Sequence, residues 1–426
     1  MYKLKTQAEW IAQAKAVLPA GGFGNFDPEV IIAKGEGSHV WDEDGNKYID
    51  YLIGSGPMLL GHGHPEVLEA VYEQLPKGMT FFANNSQGIA LADAICQAVA
   101  CCQQTRFVTS GGEADMYAIR LARAFTGKTK ILKFEGGYHG MSAEAQMSLA
   151  PAKAVNFPHA VPDSAGIPTS VAEQMLIAPF NDLDAVASLL AEHDDIAAII
   201  VEPLQRIIPP QPGFLAGLRA LCDKHQALLI FDEVVTGFRL AYGGAQEHYG
   251  VTPDICTLGK IIGGGFPLAA VGASEDIMRH FDKAIVGADQ WLMQLGTLSG
   301  NPVASVAGLK TMEILRREGS YQQLRRFGKS LQDMQISALT KAGIAHQLCG
   351  DETLFDIFFT DVPCLDYRSA NHKRPDQAAA YQAALRQHGV LKPPSKLYPS
   401  LALTDQDLEH TSHAVDKAVD AVVLLG

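Results

Sequence analysis

The feature that most constrains this chain is an alternation of short apolar runs with amphipathic stretches through its middle. The runs AAIIVE at 197–202 and ALLIFDE at 227–233 are apolar at consecutive positions, as in strands that are buried on both faces. Between such runs apolar residues recur with helical spacing, for example over 113–125 and 215–225. This alternation predicts an α/β fold with a largely parallel sheet covered by helices.

Seven segments are predicted as strands of this sheet. They are 105–109, 130–134, 175–178, 197–202, 227–232, 254–258 and 267–272. Because these segments span the centre of the chain, we expect one large domain over residues 60–302.

The two ends of the chain show different patterns. Residues 1–59 contain a helical stretch and the hairpin-like sequence KGEGSHVWDEDGNKYIDY, whose Asp-Gly and Gly-Asn dipeptides are typical of turns. Residues 303–426 begin with long helical periodicity, continue with the weak strand LFDIFF and end in two further helical stretches. We therefore expect an N-terminal segment at 1–59 and a smaller α+β domain at 303–426.

Charge and composition exclude several classes of protein. The 34 Lys and Arg against 47 Asp and Glu give a net charge of −13, which argues against a broad nucleic-acid or anionic-membrane surface. No uncharged apolar run approaches the roughly 18 residues of a membrane span, and the N-terminus lacks the apolar region of a signal peptide. The seven cysteines lack a C-x-x-C spacing and predict free buried thiols rather than disulfides or a zinc site. We expect a cytoplasmic protein with no metal, nucleic-acid or membrane partner.

Ligands of open α/β sheets bind at the carboxyl ends of the strands, so the residues that follow each strand are the candidates for function. After 105–109 the chain reads Ser110-Gly111-Gly112-Glu113 and opens a helix. Small residues at a helix N-terminus expose N–H groups and favour an anion such as phosphate. An ordinary glycine-rich helix start is the alternative.

Two further strand ends carry an aromatic residue and carboxylates. Tyr138 and His139 stand among glycines in EGGYHG after 130–134, where an aromatic ring could stack on a flat ligand or simply pack on its neighbours. Glu202 and Asp232 each close a buried apolar run. A carboxylate in such surroundings needs a cationic or N–H partner. The alternative for both is a helix cap or a surface ion pair.

A lysine closes the strand at 254–258. Lys260 follows Gly259 and precedes IIGGG, so glycines leave open space beside its amine. A partly desolvated lysine loses proton affinity and becomes a nucleophile suited to Schiff-base chemistry, whereas a solvated loop lysine is the alternative. An anion site, a stacking aromatic, a buried carboxylate and this amine together suit pyridoxal 5'-phosphate.

The motifs that carry these residues resemble those of the class III (subgroup II) aminotransferases of fold type I, and look closest to glutamate-1-semialdehyde aminomutase-like members. The similarity is nearly collinear from about residue 41 to residue 308. The matching stretches are WDEDGNKYIDY, EADMYAIRLARAFTG, KFEGGYHG, LLIFDEVVTGFRLAYGGAQEHYGVTPD, TLGKIIGGGFPLAAVG and GTLSGNP.

The resemblance implies a role for each site residue. Lys260 is similar to the Schiff-base lysine that carries a proton between the substrate and the cofactor, and Asp232 to the partner of the pyridinium nitrogen. Tyr138 resembles the residue that covers the ring. Thr297 matches a threonine that reaches the phosphate of the neighbouring subunit, which implies a homodimer. The other residues expected at the cofactor are Ser110, Gly111, Gly112, His139, Glu202 and Val235.

Departures from the family pattern limit the prediction of substrate. Gly112 replaces a threonine of the phosphate loop, and Val235 stands where many class III aminotransferases have glutamine. Three substrate contacts of the mutase look absent: Ser55 replaces a tryptophan, Tyr398 replaces an acidic residue, and an early arginine has no counterpart. The residue that binds the substrate carboxylate stays open. The candidates are Lys392, Lys396, Arg239 and Arg206.

The expected function is a pyridoxal-phosphate aminotransferase. It would move an amino group from an amine or amino-acid donor to a keto acid, ketone or aldehyde acceptor, by a ping-pong mechanism through Lys260. The alternative on the same cofactor is an aminomutase of the glutamate-1-semialdehyde type, or a racemase. A third interpretation is a cofactor-bearing protein without catalysis, or a nucleotide-binding protein that uses Gly127-Lys128-Thr129; the missing first glycine of that loop counts against the nucleotide.

Overall fold

The computed structural model of the chain describes residues 5–425. The strands are β1 Ile32–Glu36, β2 His39–Asp42, β3 Lys47–Asp50, β4 Gln104–Val108, β5 Lys130–Phe134, β6 Met175–Ala178, β7 Ile196–Val201, β8 Leu228–Glu233, β9 Ile255–Leu258, β10 Ala269–Ala273, β11 Gln347–Asp351, β12 Leu354–Phe358 and β13 Val390–Leu391. The α-helices are α1 Gln7–Val17, α2 Pro65–Gln74, α3 Ser86–Ala98, α4 Gly111–Thr126, α5 Thr169–Ala172, α6 Leu183–Glu192, α7 Phe214–His225, α8 Gly244–Tyr249, α9 Glu275–Met278, α10 Lys283–Val286, α11 Pro302–Leu315, α12 Ser320–Lys341, α13 Tyr367–Ala370, α14 Pro375–Gln387 and α15 Asp405–Val423.

A seven-stranded sheet forms the centre of the molecule, in the order β4-β10-β9-β8-β7-β5-β6. The neighbours from β9 to β6 pair in parallel, and β10 runs antiparallel to both β9 and β4. All six residues of β7 are buried, as its uninterrupted apolar sequence requires. The prediction of a mostly parallel seven-stranded sheet is therefore confirmed, with every strand within two residues of its expected bounds.

Helices cover both faces of this sheet. On one face α4 contacts β7, β9 and β10, where it buries Ala114, Ala118 and Ile119. On the other face α6 and α7 pack on each other beside β7 and β8, with Phe214 and Leu218 in the core. Because both faces are covered, ligands have access only at the ends of the strands.

The two ends of the chain form one structure. The predicted hairpin is present as β1, β2 and β3 in antiparallel pairing, and β13 then pairs with β3 in parallel. Tyr51, next to β3, shares a core cluster with Phe327 of α12 and Val415 of α15. The division of the chain at 59/60 and 302/303 remains a prediction, but this sheet joins its first and last parts.

The described residues include no helix long and apolar enough to cross a membrane. All seven cysteines are free, and six of them are buried. Three of the buried thiols, those of Cys101, Cys102 and Cys256, lie within 4.8 Å of one another behind the sheet.

Candidate active site

The predicted site residues follow the carboxyl ends of the parallel strands and the end of β4. Ser110 caps α4 after β4, Tyr138 follows β5, Glu202 follows β7, Asp232 is near the end of β8, and Lys260 follows β9. Because strands of one sheet end at one edge, residues far apart in sequence are brought to the same place.

The loop before α4 is held by a reciprocal cap. The Ser110 hydroxyl accepts a hydrogen bond from the N–H of Glu113, and the Glu113 carboxylate accepts bonds of 2.8 Å and 2.9 Å from the N–H groups of Thr109 and Ser110. The N–H groups in the first turn of a helix have no partner within the helix, so Gly111 and Gly112 present donors and no side chain at the positive end of α4. This loop can therefore hold a phosphate.

Close packing explains the glycines of this loop. A Cβ on Gly140 would lie 2.3 Å from the Cα of Gly112, and Gly140 has a φ of +85° that favours glycine. A Cβ on Gly112 would lie 3.1 Å from the Cα of Gly140, and one on Gly111 would lie 2.7 Å from Val234. The phosphate loop therefore contacts the EGGYHG loop through backbone, which leaves little room for the threonine that the family usually has at 112.

Tyr138 is fixed by its backbone, and its ring stays free. Its N–H donates a 2.9 Å hydrogen bond to Glu202 Oε2, so the buried Glu202 carboxylate has the N–H partner that its position demands. The phenol ring is 38% exposed, and the guanidinium of Arg206 lies 5.3 Å from the ring centroid. A ring in this position can cover a flat ligand on one side.

Asp232 is held by donors from two elements. His139 Nδ1 lies 2.9 Å from Asp232 Oδ2, and the Val234 N–H donates a 3.1 Å bond to Oδ1. On the sheet side the Thr257 hydroxyl lies 3.4 Å from Asp232 Oδ1 and 2.7 Å from Asp115 Oδ1. All four of the side chains of Asp232, His139, Thr257 and Asp115 are buried.

Lys260 lies opposite these groups in a left-handed conformation, with a φ of +49°. Burial is the main cause that lowers the pKa of its amine, and the positive charge of Lys396 lowers it further, against the opposing effect of Tyr398. In the described part of the chain, its amine has no hydrogen-bond or ion-pair partner. A partly neutral amine of this kind can act as a nucleophile and carry a proton.

The four candidates for binding a substrate carboxylate differ in their partners. Lys392 forms a buried ion pair of 3.0 Å with Asp356, and Arg239 donates to the backbone oxygens of Gly56 and Thr353. Lys396 is 8% exposed, and neither it nor Arg206 has a hydrogen bond or ion pair with another described residue. Only the last two therefore remain available for an anion.

Two predicted site residues lie apart from these contacts. Val235 packs against the large core cluster beside β8. Thr297 is exposed, and its carbonyl oxygen accepts a 3.4 Å bond from the Thr80 hydroxyl. Within the described residues, no hydrogen bond links Thr297 to Ser110, Tyr138, Asp232 or Lys260.

The residues of this edge fit pyridoxal phosphate. The side-chain-free turn at Gly111 and Gly112 suits its phosphate, and the ring of Tyr138 suits its pyridine ring. Lys260 offers an unpartnered amine for its aldehyde, and Asp232 offers a carboxylate, fixed by two donors, for its ring nitrogen.

Sequence reasoning missed Asp115 and Thr257. Asp115 stands on the face of α4 that buries Ala114, Ala118 and Ala122, so a single acid within an apolar helical stripe was a usable signal. Thr257 gave no signal, because a β-branched residue inside a strand is ordinary.

Comparisons with known proteins agree with this geometry. The family described as aminotransferase class-III matches residues 24–419. Glutamate-1-semialdehyde 2,1-aminomutase 2 of Brevibacillus brevis is 43% identical over 397 residues, which are 92% of this chain and 91% of that one. The crystal structure of an omega-transaminase from Sphaerobacter thermophilus superposes with a TM-score of 0.92 at 34% identity, covering 98% of this chain and 97% of that one. A transaminase structure with PLP bound has a TM-score of 0.90 at 26% identity and covers both chains completely.

Proposed function

The chain belongs to the class-III aminotransferases, and from that membership we propose that it moves an amino group between two small molecules by a ping-pong reaction. The donor is an amine or amino acid, and the acceptor is a keto acid, ketone or aldehyde. At least one of the two carries a carboxylate. The reaction takes place at the strand ends that hold Lys260 and Asp232.

Pyridoxal 5'-phosphate, the cofactor of the family, supplies an aldehyde that takes up amino groups and a ring that withdraws electrons. Lys260 would hold the cofactor through its aldehyde, and once a donor takes that place the freed amine would move the proton from the donor's α-carbon to the cofactor. Its lowered pKa keeps part of the amine neutral and able to accept that proton. Asp232 would place a negative charge against the ring nitrogen, and Tyr138 would cover one face of the ring.

The observation that carries the proposal is the pair of cations Lys396 and Arg206, which act on each other and have no ion-pair partner among the described residues. The guanidinium of Arg206 lies 5.3 Å from the centroid of the Tyr138 ring. Lys396 stands two residues before Tyr398, whose ring lies beside Gly56 and Lys260. Lys396 is buried and Arg206 is half-buried, and a buried cation without a partner is costly unless a ligand supplies an anion. These two residues therefore suit the carboxylate of an amino acid or keto acid.

An aminomutase is the second candidate, because the chain is 43% identical to a protein named for that activity. A mutase holds a substrate form with two amino groups, so an acidic group on the substrate side would suit it. Here the acids whose charges act on Lys260 are Asp232 and Glu202, and both already accept hydrogen bonds from the protein. The other groups that act on Lys260 are the phenol of Tyr398 and the amine of Lys396, and that amine would repel a second amino group on the substrate.

Stoichiometry separates the two candidates. Holoenzyme is mixed with an amino donor alone, and cofactor absorbance and released carbonyl product are measured. A transaminase converts one equivalent of donor per site, bleaches, and turns over again only when a keto acid or aldehyde is added. Catalytic conversion of glutamate-1-semialdehyde without any acceptor would instead establish the mutase. Lys260→Ala holoenzyme is the inactive control for both reactions.

We also propose a homodimer in which Thr297 serves the neighbouring site. Large apolar side chains are exposed in the two segments 79–89 and 293–298, the second of which contains Thr297. The members of this apolar surface are Met79, Phe81, Phe82, Ile89, Met293, Leu295 and Leu298. Bonds from Thr80 and Asn85 to the backbone of Thr297 and Gly300 join the two segments of this surface. Burial of this surface by a second copy would bring Thr297 to the partner's phosphate. The seven free cysteines support the cytoplasm as its compartment.

Subunit mixing tests this role of Thr297. Thr297→Asp repels a phosphate across the interface, and Lys260→Ala removes chemistry within its own subunit. If Thr297 acts on the neighbour, a mixed dimer of the two inactive variants regains one intact site per dimer. If the mixed dimer stays inactive although light scattering shows a dimer, Thr297 does not act across the interface.

A further inference from the structure

Beneath the proposed position of the cofactor's ring nitrogen lies a second buried acid, Asp115. One carboxylate oxygen of Asp115, one of Asp232 and a ring nitrogen of His139 all lie within 4.8 Å of one another. Asp115 is 2% exposed and Asp232 is 5% exposed. Two buried carboxylates at this separation do not both stay ionised, since each charge raises the energy of the other.

Their surroundings decide which of the two keeps the charge. Asp232 receives donors from His139 and from the Val234 N–H, and both stabilise its ionised form. Asp115 shares one hydrogen bond, with the hydroxyl of Thr257 at 2.7 Å, and its other polar neighbours are Asp232 and His139. Burial, followed by the negative charge of Asp232, raises the pKa of Asp115 well above its usual value, and the more distant Glu202 acts in the same direction.

One placement of the hydrogens uses both short contacts of the Thr257 hydroxyl. The Thr257 hydroxyl has a single hydrogen, and it lies between Asp115 Oδ1 and Asp232 Oδ1. If Asp115 were ionised, this hydrogen would point to Asp115 and leave two facing anions. If Asp115 carries a proton, it donates to Thr257, and Thr257 donates to Asp232. Each oxygen then has a complementary partner.

We propose that Asp115 is a neutral carboxylic acid that acts as a positioning residue for the cofactor, donating through the Thr257 hydroxyl to Asp232. The charge at the ring nitrogen is thereby confined to Asp232, which is fixed from three sides by His139, Val234 and Thr257. The titratable groups that face Asp115 are Asp232, His139 and Glu202, with Tyr138 further out. The inference depends on the cofactor and not on the choice between transaminase and mutase.

Charge and donor can be separated by substitution. Asp115→Asn keeps a donor toward Thr257 and is neutral, whereas Asp115→Leu removes the donor. Thr257→Ser keeps the hydroxyl, and Thr257→Val removes it with little change of shape. Asp356→Asn is the matched control, because Asp356 is another buried acid with a raised pKa, paired with Lys392 in the C-terminal part.

Holoenzyme of each variant is titrated between pH 6 and 10 by cofactor absorbance, and the rate of cofactor loss into cofactor-free buffer is measured. We expect Asp115→Asn, Thr257→Ser and Asp356→Asn to keep the wild-type midpoint within about 0.3 pH unit, since no charge near the ring changes. Asp115→Leu and Thr257→Val should lose cofactor roughly five- to tenfold faster, because each removes one hydrogen bond between Asp115 and Asp232. Infrared difference spectra of wild type minus Asp115→Asn should contain the carbonyl band of a protonated acid.

Two results would overturn the proposal. A midpoint shift of about one pH unit or more in Asp115→Asn, without a protonated-acid band, would mean that a negative charge has been removed and that Asp115 is ionised. Wild-type cofactor retention in Thr257→Val would mean that the hydroxyl transmits nothing to Asp232. If Asp115→Leu does not fold, the Thr257→Val and Thr257→Ser pair still decides the second question.

Discussion

His139 Nδ1 lies 2.9 Å from Asp232 Oδ2, and both side chains are almost completely buried. His139 comes from the loop after β5 and Asp232 from the end of β8, two strands that are separated in the sheet by β7. The contact fixes the orientation of the carboxylate that is proposed to face the cofactor's ring nitrogen. Loss of the donor should therefore affect the cofactor before it affects the fold.

His139→Phe is the first prediction. The phenyl ring fills the space of the imidazole but donates nothing, so Asp232 loses a hydrogen bond to a charged group, about 1.5–3 kcal/mol. Cofactor affinity should fall roughly tenfold to a hundredfold, measured by absorbance during reconstitution. His62→Phe is a control, because His62 forms a similar 2.7 Å contact with a different acid, Asp50. Equal losses of affinity in both variants would contradict a specific role of His139.

Lys396→Met should reduce the use of carboxylate substrates. If Lys396 binds the substrate carboxylate, its removal should lower kcat/KM for amino acids and keto acids roughly tenfold or more, at about 1.4 kcal/mol per tenfold change. Simple amines without a carboxylate should be affected little. Lys392→Met is the control and should reduce thermal stability instead, because it leaves the buried Asp356 without its partner. Unchanged amino-acid kinetics in Lys396→Met would exclude this lysine.

The pH dependence of the same substrates provides a separate test. Burial, followed by the nearby positive charge of Arg206, lowers the pKa of Lys396 to about 8. Lys396 is therefore positive below that pH and neutral above it, and kcat/KM for a carboxylate substrate should fall as the pH rises through 8. In Lys396→Arg the group stays charged, so this fall should disappear. A fall of the same size in that variant must come from another group.

The stability of the cofactor-free protein should reveal the proton on Asp115. Its folded-state pKa is raised, so the folded protein binds a proton that the unfolded chain has released above about pH 4. This group's contribution to stability is thus greatest at low pH and is lost as the pH rises toward the folded-state pKa, by at most about 1.4 kcal/mol per pH unit. Asp115→Asn removes the effect. As the pH rises from 5 to 8, the free energy of unfolding of the variant should therefore increase relative to that of wild type. A constant difference between the two proteins, measured by urea denaturation, would contradict this.

Gly140→Ala should weaken cofactor binding. The added methyl group would lie 2.3 Å from the Cα of Gly112 and would push the phosphate loop away from its position. Gly166→Ala is a close control, because Gly166 has nearly the same φ, +84°, and no atom within 4 Å of a new Cβ. Both variants carry the backbone strain of about 1 kcal/mol, and only Gly140→Ala carries the clash. Similar cofactor affinity in the two would mean that the glycine contact does not shape the phosphate loop.

Several strands of the sheet could be predicted because, like β7, they are nearly continuous apolar runs that suit burial on both faces, whereas the edge strand β4, QTRFV, is buried only in part. The positions of Ser110, Tyr138, Asp232 and Lys260 at one edge followed from the same pattern, since parallel strands end together. Which of the four candidate cations have a partner within the protein could not be predicted. Lys392 and Lys396 are four residues apart in one loop, yet the first pairs with Asp356 and the second has no partner among the described residues.

The sequence alone determined the sheet, the family resemblance and the amine, carboxylate and glycines at the strand ends, because these depend on local patterns that repeat along the chain. Only the tertiary structure decided that β13 adds to the N-terminal hairpin, that glycines 112 and 140 touch, and that Asp115 lies beside Asp232. Each of these is a contact between distant segments. The distance between Asp115 and Asp232, for example, depends on how α4, β8 and β9 pack, and no local pattern of residues records that packing.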